Sequence, residues 1–312
     1  MIVDPLSEFL SLLRPRDALT TGVNAGENWS IGFGGQRSYI KCYVILSGEC
    51  WLMLEGEKEG FKLVEGDCFV VPNGRAFRLA SDLSLPPVSA AEIFPGVPAG
   101  GTAIIAGGGS FSMVVSRFAV YGRSGDTLLG LLPPLLPLRG GTERAALHWS
   151  LHRMMDELRD GLPGGDVVAQ DLAHMMLVHA LRAYLAAGPG HVTGWFSGLA
   201  DKKLNLAIKA MHADPARRWS LQELGEIAGM SRSVFALRFK ETVGETPMQY
   251  LVRWRMLLAC DRLENVGGPI SVVADDLGYE SESAFGAAFK RVLGSSPREY
   301  MRRARMIEEA VL

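Results

Sequence analysis

The chain has 312 residues, 48% of them hydrophobic and 21% charged, with a formal net charge of −2. That length allows two domains with real cores, and no apolar run approaches the ~20 residues needed to cross a bilayer. The charge is split: residues 1–200 carry 15 Lys/Arg against 19 Asp/Glu, or −4, and residues 201–312 carry 17 against 15, or +2. The N-terminus has neither a basic start nor a long apolar stretch, so no signal peptide is read and a cytoplasmic chain without a membrane partner is expected.

Leu6, Phe9, Leu10 and Leu13 suit a short amphipathic helix. From Trp29 to about Phe118, short alternating segments are broken by Gly, Pro and Asn. Tyr39–Leu46, Cys50–Leu54, Phe61–Val64 and Cys68–Val71 predict strands, and their regular spacing suggests a small barrel or sandwich. Cys42, Cys50 and Cys68 fall inside these strands as small hydrophobes, and with Cys260 they lack metal-type spacing. From 143 to 188 the pattern turns helical and rich in Met, Leu and Ala. His148 and His152 are four apart there, but no cysteine or carboxylate pattern joins them, so a packing role is expected over a zinc site. Residues 188–200 are Gly-rich and read as a linker.

The last hundred residues repeat themselves fifty positions apart. Ser231, Ser233, Phe235, Phe239, Lys240, Gly244, Pro247 and Tyr250 recur as Ser281, Ser283, Phe285, Phe289, Lys290, Gly294, Pro297 and Tyr300. In the first copy Ser220 and Glu223 form a capping box sequence before a short helix. Gly229 would end that helix in a left-handed conformation, and Ser231 caps a second helix. Helix, glycine turn, helix is the helix-turn-helix pattern. Gly229 and Gly278 differ by 49 rather than 50, so the second turn is one residue longer. Between the copies, Pro247 to Gly268 predicts a connecting helix of about 17 residues, or ~25 Å. With the module radii added, it can set recognition helices about one DNA turn, roughly 34 Å, apart.

The strings LGEIAGMSRSVFALRFKETVGETPMQYLVRWRM and ADDLGYESESAFGAAFKRVLGSSPREYMRR resemble the DNA-binding domain of the AraC/XylS family of bacterial transcription regulators. The resemblance covers residues 203–305. It implies two helix-turn-helix units joined by a long helix, each second helix lying in a major groove of double-stranded promoter DNA. The outward positions it implies are Arg232, Ser233, Ala236, Leu237 and Lys240 in the first unit, and Ser281, Glu282, Ser283, Gly286, Ala287 and Lys290 in the second. Family members commonly carry arginine where Leu237 and Ala287 stand. Arg-to-guanine is the commonest specific base contact, so the departure weighs against ordinary direct readout; Leu237 and Ala287 could contact thymine methyl groups instead, and Arg232 or Arg238 could supply the guanidinium. Lys240 and Lys290 suit phosphate contacts, which fix register without reading sequence. Gly286 leaves the second surface nearly bare, so the first module is the expected stronger reader.

The string Gly66-Asp67-x4-Pro72-x-Gly74 resembles a cupin half-motif, and the N-terminal half resembles the cupin-type sensor of one AraC-type subgroup. LLGLLPPLLPL (128–138) is typical of that subgroup. No histidine precedes His148, and Phe77 stands where the half-motif places one, so a His-ligated metal in the barrel is excluded. No cofactor is expected. Arg37, Lys41, Arg75 and Arg78 are candidate anchors for a small-molecule effector; exposed strand and loop roles are the competing reading.

The expected fold class is α+β, with a cupin-like sensor over 1–140, a helical extension and linker over 141–200, and the all-α DNA-binding domain over 201–312. The leading function is a transcription regulator answering an effector or a protein partner, with homodimerisation and RNA polymerase contact as further partners. A constitutive DNA-binding protein whose barrel only dimerises is the alternative. No nucleophile–base pair, phosphate loop or metal cluster suggests an enzyme.

Overall fold

The computed structural model describes residues 4–13, 16–35, 39–72, 74–120, 125, 128–138, 141–188, 193–266 and 269–303. It divides into two compact units. One comprises Arg14–Tyr121 and Leu132–Ala187; the other comprises Met1–Leu13, Gly122–Leu131 and Gly188–Leu312.

The first unit is β-rich. Strands β1 (Arg16–Ala25), β3 (Tyr39–Ser47), β6 (Cys68–Val71), β9 (Thr102–Ile105), β10 (Phe111–Ala119) and β11 (Leu136–Leu138) make a sheet of order β11-β6-β3-β10-β1-β9. Strands β2 (Ser30–Phe33), β4 (Glu49–Leu54), β5 (Phe61–Val64), β7 (Phe77–Ala80) and β8 (Val88–Ser89) make a second, of order β5-β4-β7-β2-β8. Alternation along each strand sends one face inward, and the inward residues Trp29, Phe33, Tyr43, Phe69, Phe77 and Phe111 share one core. The four segments expected from sequence are β3 to β6. β1 lies upstream of the span in which strands were expected, and its alternation is blurred because Thr20 and Thr21 are both buried.

A short helix, α1 (Pro5–Leu13), precedes the strands, and α2 (Ala90–Ile93) interrupts them. Helices α3 (Gly141–Asp160) and α4 (Gly165–Ala187) follow and pack on each other and on β1. Leu147, Leu151 and Met154 of α3 are fully buried. His148 and His152 stack at 4.4 Å, and the described residues hold no metal-binding group of His, Cys, Asp or Glu. The buried Cys42, Cys50, Cys68 and Cys260 form no disulfide among the described residues; burial pushes Cys50 and Cys260 up to about 12, which keeps such thiols unreactive.

The second unit is helical: α5 (Trp195–Ala200), α6 (Lys202–Ala213), α7 (Leu221–Ile227), α8 (Arg232–Val243), α9 (Pro247–Asp261), a π-helical turn (Arg262–Val266), α10 (Ile270–Asp276) and α11 (Glu282–Leu293), with a last helical stretch over 297–303. Two features differ from the sequence reading. Residues 195–200, expected as linker, form α5 and bury Trp195 and Phe196. The α1 helix, first in the chain, belongs to this unit: Phe9 is fully buried and packs on the ring of Trp195 at 4.6 Å. Glycine content hid α5, whose Gly198 admits close packing; a Cβ there would come 2.8 Å from Val243. The connecting helix ends its α geometry at Asp261 and continues as the π turn; Gly267 and Gly268 lie outside the described residues.

Candidate nucleic-acid interface

Each helix-turn-helix is built by the same local devices. Ser231 Oγ accepts from Val234 N and Ser281 Oγ from Ala284 N, so each recognition helix starts at a serine cap. Gly244 (φ 91°) and Gly294 (φ 75°) end them, each donating N–H to the carbonyl of Lys240 or Lys290 at 2.9 Å. Ser220 and Glu223 close a full capping box, and those hydrogen bonds hold Glu223 down to about 2. Thr246 and Gln249 repeat the box before α9, and Ser296 and Glu299 repeat it after α11.

The repeat extends to ring geometry. Phe235 and Phe239 lie 5.6 Å apart and Phe239 lies 5.7 Å from Tyr250. Phe285 and Phe289 lie 5.6 Å apart and Phe289 lies 5.4 Å from Tyr300. All four phenylalanines are fully buried. These side chains fix one face of each recognition helix inward, which sets the opposite face outward.

On the outer face of α8, Arg232, Ser233, Leu237 and Lys240 are exposed and Ala236 is half-buried. On α11, Glu282, Ser283, Ala287 and Lys290 are exposed, Ser281 is the exposed cap, and Gly286 is half-buried. A Cβ at Gly286 would meet open space. The structure brings each set together on one helical face. Val234 joins the first as a large exposed apolar residue, 54% exposed beside Leu237 at 60%. Glu282 pairs with Arg298 at 3.3 Å, so its carboxylate is already engaged. Arg232, Lys240 and Lys290 form no salt bridge among the described residues.

Arg238 is not available as a spare guanidinium. Its Nε and Nη2 both donate to Asp201 Oδ2, at 2.9 and 2.6 Å. Burial disfavours the Asp201 charge, but the Leu204 and Lys203 amides and Arg238 outweigh it and hold the carboxyl below its ordinary value.

Arg255 is a structural residue of α9. It is buried and donates to three carbonyls, Pro215 O at 2.5 Å, Ala216 O at 3.2 Å and Arg217 O at 3.0 Å. Its guanidinium also lies 5.6 Å from the Tyr279 ring centroid. Gly278 approaches the same loop so closely that a Cβ would sit 2.0 Å from Ala216 O. Arg218 pairs with Glu280. The two modules are therefore tied through the 215–218 loop, a contact between distant residues that no local pattern announces.

In the β-rich unit the candidate effector anchors part ways. Arg75 donates to Glu55 O at 2.6 Å and pairs with Glu57 at 3.1 Å. Arg78 donates to Ser30 Oγ at 2.8 Å and to the carbonyls of Leu83 and Leu85. Lys41 is buried, with Nζ 5.6 Å from the Phe33 ring centroid and 6.0 Å from that of Phe77. Burial, and secondarily the Arg117 cation, push it down to about 8. Arg37 lies outside the described residues. Phe77 stacks on Phe33 at 4.6 Å. A cleft of about 430 Å³ is lined by Phe33, Leu54, Glu57, Phe77, Arg78 and Pro87 among others.

Comparison with known proteins agrees with this architecture. Residues 4–186 match the cupin family model and residues 224–303 match that of a helix-turn-helix domain. A Streptomyces antibioticus protein described as an AraC-like transcription regulator is 37% identical over 287 residues, covering 90% of this chain and 92% of that protein. The Escherichia coli (strain K12) RCS-specific HTH-type transcriptional activator RclR is 27% identical, with 90% of each chain covered. The crystal structure of ToxT from Vibrio cholerae O395 aligns over 91% of this chain and 96% of its own, at 12% identity and a TM-score of 0.36. With two serine-capped recognition helices in one helical unit and a cupin-like sheet pair before them, the chain belongs to the AraC-like family of DNA-binding transcription regulators.

Proposed function

We propose that this regulator grips two successive major-groove segments of its promoter with α8 and α11, and that α8 does most of the reading. The carrying observation is the inequality of the two outward faces. The first offers Arg232, with no salt bridge among the described residues, beside Val234 and Leu237, two apolar side chains suited to thymine methyl groups. The second offers Ser283, the open position at Gly286 and Ala287, with Glu282 held by Arg298. Lys240 and Lys290, at equivalent ends of the two helices, serve as phosphate contacts.

The cupin-like unit is proposed to receive a small molecule and to pass its occupancy to the DNA-binding unit, a coupling between two sites. The protein then acts by binding rather than turnover, in the cytoplasm where its promoter lies, as a homodimer that contacts RNA polymerase. A constitutive binder with a purely dimerising barrel is the weaker reading, because a cleft bordered by Phe33, Phe77 and Arg78 opens on the β-rich unit.

Selecting bound genomic fragments with the purified full chain gives the operator. Arg232→Ala is then expected to lose more affinity for that operator than for random DNA; equal losses would make Arg232 a phosphate contact. Operator affinity unmoved by any ligand that binds the β-rich unit would favour the constitutive reading.

A further inference from the structure

Strands β3 and β10 are antiparallel neighbours, and their register sets Lys41 directly opposite Arg117. Side chains two apart on a strand share a face. Tyr43 and Ile45 of β3 and Phe111 and Met113 of β10 belong to the core between the sheets, so Lys41 and Arg117 continue that inward face at one end. Like charges directly opposite each other destabilise a strand pair. Here one of the two is also buried, at 7% exposure, and an uncompensated buried charge is costly. Among the described residues, neither cation has a carboxylate in salt-bridge contact.

Aromatic faces surround the pair instead. Lys41 lies over Phe33 and Phe77, and Arg117 lies 5.3 Å from the Tyr39 ring centroid. Two residues along the same face, the Tyr43 hydroxyl is fully buried and has no hydrogen-bond partner among the described residues. Buried polar groups are normally satisfied, and an exception calls for an explanation. Among the described residues, two cations without a carboxylate in salt-bridge contact, a buried hydroxyl without a hydrogen-bond partner and apolar rings at one end of the barrel interior share one explanation.

We propose that this end of the barrel binds an organic carboxylate, its acid group between Lys41 and Arg117 and its apolar body against Phe33 and Phe77. Arg117 is exposed, so the site opens to solvent there. Arg75, engaged with Glu55 and Glu57, and Arg78, engaged with Ser30, Leu83 and Leu85, lie outside the proposed site. The inference rests on the effector reading above and names the chemistry of the ligand.

The test follows thermal unfolding of the full chain with straight-chain carboxylates from acetate to octanoate, each beside its neutral amide, at constant ionic strength. The longer carboxylates are expected to raise the wild-type Tm by ~2–4 °C at saturation, with the amides and inorganic phosphate silent. Lys41→Met is expected to raise the Tm of the free protein and to abolish the carboxylate shift. Arg117→Gln, at an exposed position, is expected to weaken it and serves if Lys41→Met does not fold. Silence across the carboxylates, amides as effective as acids, or a shift retained in both variants would overturn the proposal. A neutral ligand that shifts wild type and Lys41→Met alike would overturn it while leaving the effector reading intact. Carboxylate binding through Lys41 that left operator affinity unchanged would do the reverse.

Discussion

Arg238 of the first recognition helix and Asp201 at the start of α6 share two hydrogen bonds to a single carboxylate oxygen. The other oxygen of Asp201 accepts from Lys203 N at 2.9 Å and Leu204 N at 3.1 Å, capping α6. One side chain thus starts one helix and orients another. Asp201→Ala is expected to cost about 1–2 kcal/mol, the worth of a cap plus a partly exposed ion pair, read by urea denaturation. Asp201→Asn keeps a capping oxygen and is expected to lose about half as much. Arg238→Ala should change operator and random-DNA affinity equally; a loss confined to the operator would show that Arg238 leaves Asp201 to touch bases.

His212 makes the acid sensitivity of the helical unit specific. Its Nε2 lies 2.6 Å from the Tyr250 hydroxyl, which accepts from Trp195 Nε1 at 2.9 Å and so donates its own hydrogen to the ring. Nδ1 then carries the proton and donates to Glu8 of α1 at 2.7 Å. Burial lowers the His212 pKa, and Glu8 and Asp4 oppose it without reversing it. A histidine depressed in the folded state contributes stability that is present above its unfolded pKa near 6.5 and is lost as pH falls below it. Wild type is therefore expected to lose stability between pH 7 and 5 more steeply than His212→Gln. Parallel losses in the two proteins would remove His212 from the account.

The legible parts of this molecule are the local ones. Capping serines, turn glycines and the buried phenylalanine pairs act within one turn of helix, so Ser231, Gly244, Phe235 and Phe239 are readable from spacing alone. Strands β3 to β6 are readable because their alternation is clean and their turns carry glycine. The rest depends on contacts far apart in sequence. Nothing near Phe9 says that it meets Trp195, and nothing near Arg255 says that three carbonyls of the 215–217 loop wait for it. Sequence alone leaves a strand arginine such as Arg78 open between ligand anchor and packing role, and its bonds to Ser30, Leu83 and Leu85 are visible only in the fold. Nothing local marks Arg117, because only the β3–β10 register sets it against Lys41.

The two informative glycines of the second module should respond in opposite directions. Gly286 sits inside α11 with open space where a Cβ would go. Gly286→Ala is expected to stabilise the free protein by about 0.5–1 kcal/mol, since glycine in a helix interior loses more backbone entropy. Gly278 has φ 76° and its Cβ would overlap backbone at Ala216 O. Gly278→Ala is expected to destabilise by more than ~2 kcal/mol, strain and overlap acting together. Thermal unfolding of both variants checks the pair, and a stable Gly278→Ala would show that the 215–218 loop can move away.

Lys240 and Lys290 occupy the same place in the repeat, one turn before the glycine that ends each recognition helix. If both modules rest on the phosphate backbone at once, each lysine neutralises one phosphate and releases its counterion. Lys240→Ala and Lys290→Ala should then each lower affinity on operator and random DNA alike, and each reduce the slope of log K against log salt by about one. The double variant should lose about two, because the sites are separate and their losses add. Asymmetry is the informative failure. If Lys240→Ala shows the full slope change and Lys290→Ala none, the second module keeps its helix-turn-helix packing but does not hold the DNA in register. The bareness of its outer face would then reflect a structural partner of the first module rather than a second reader.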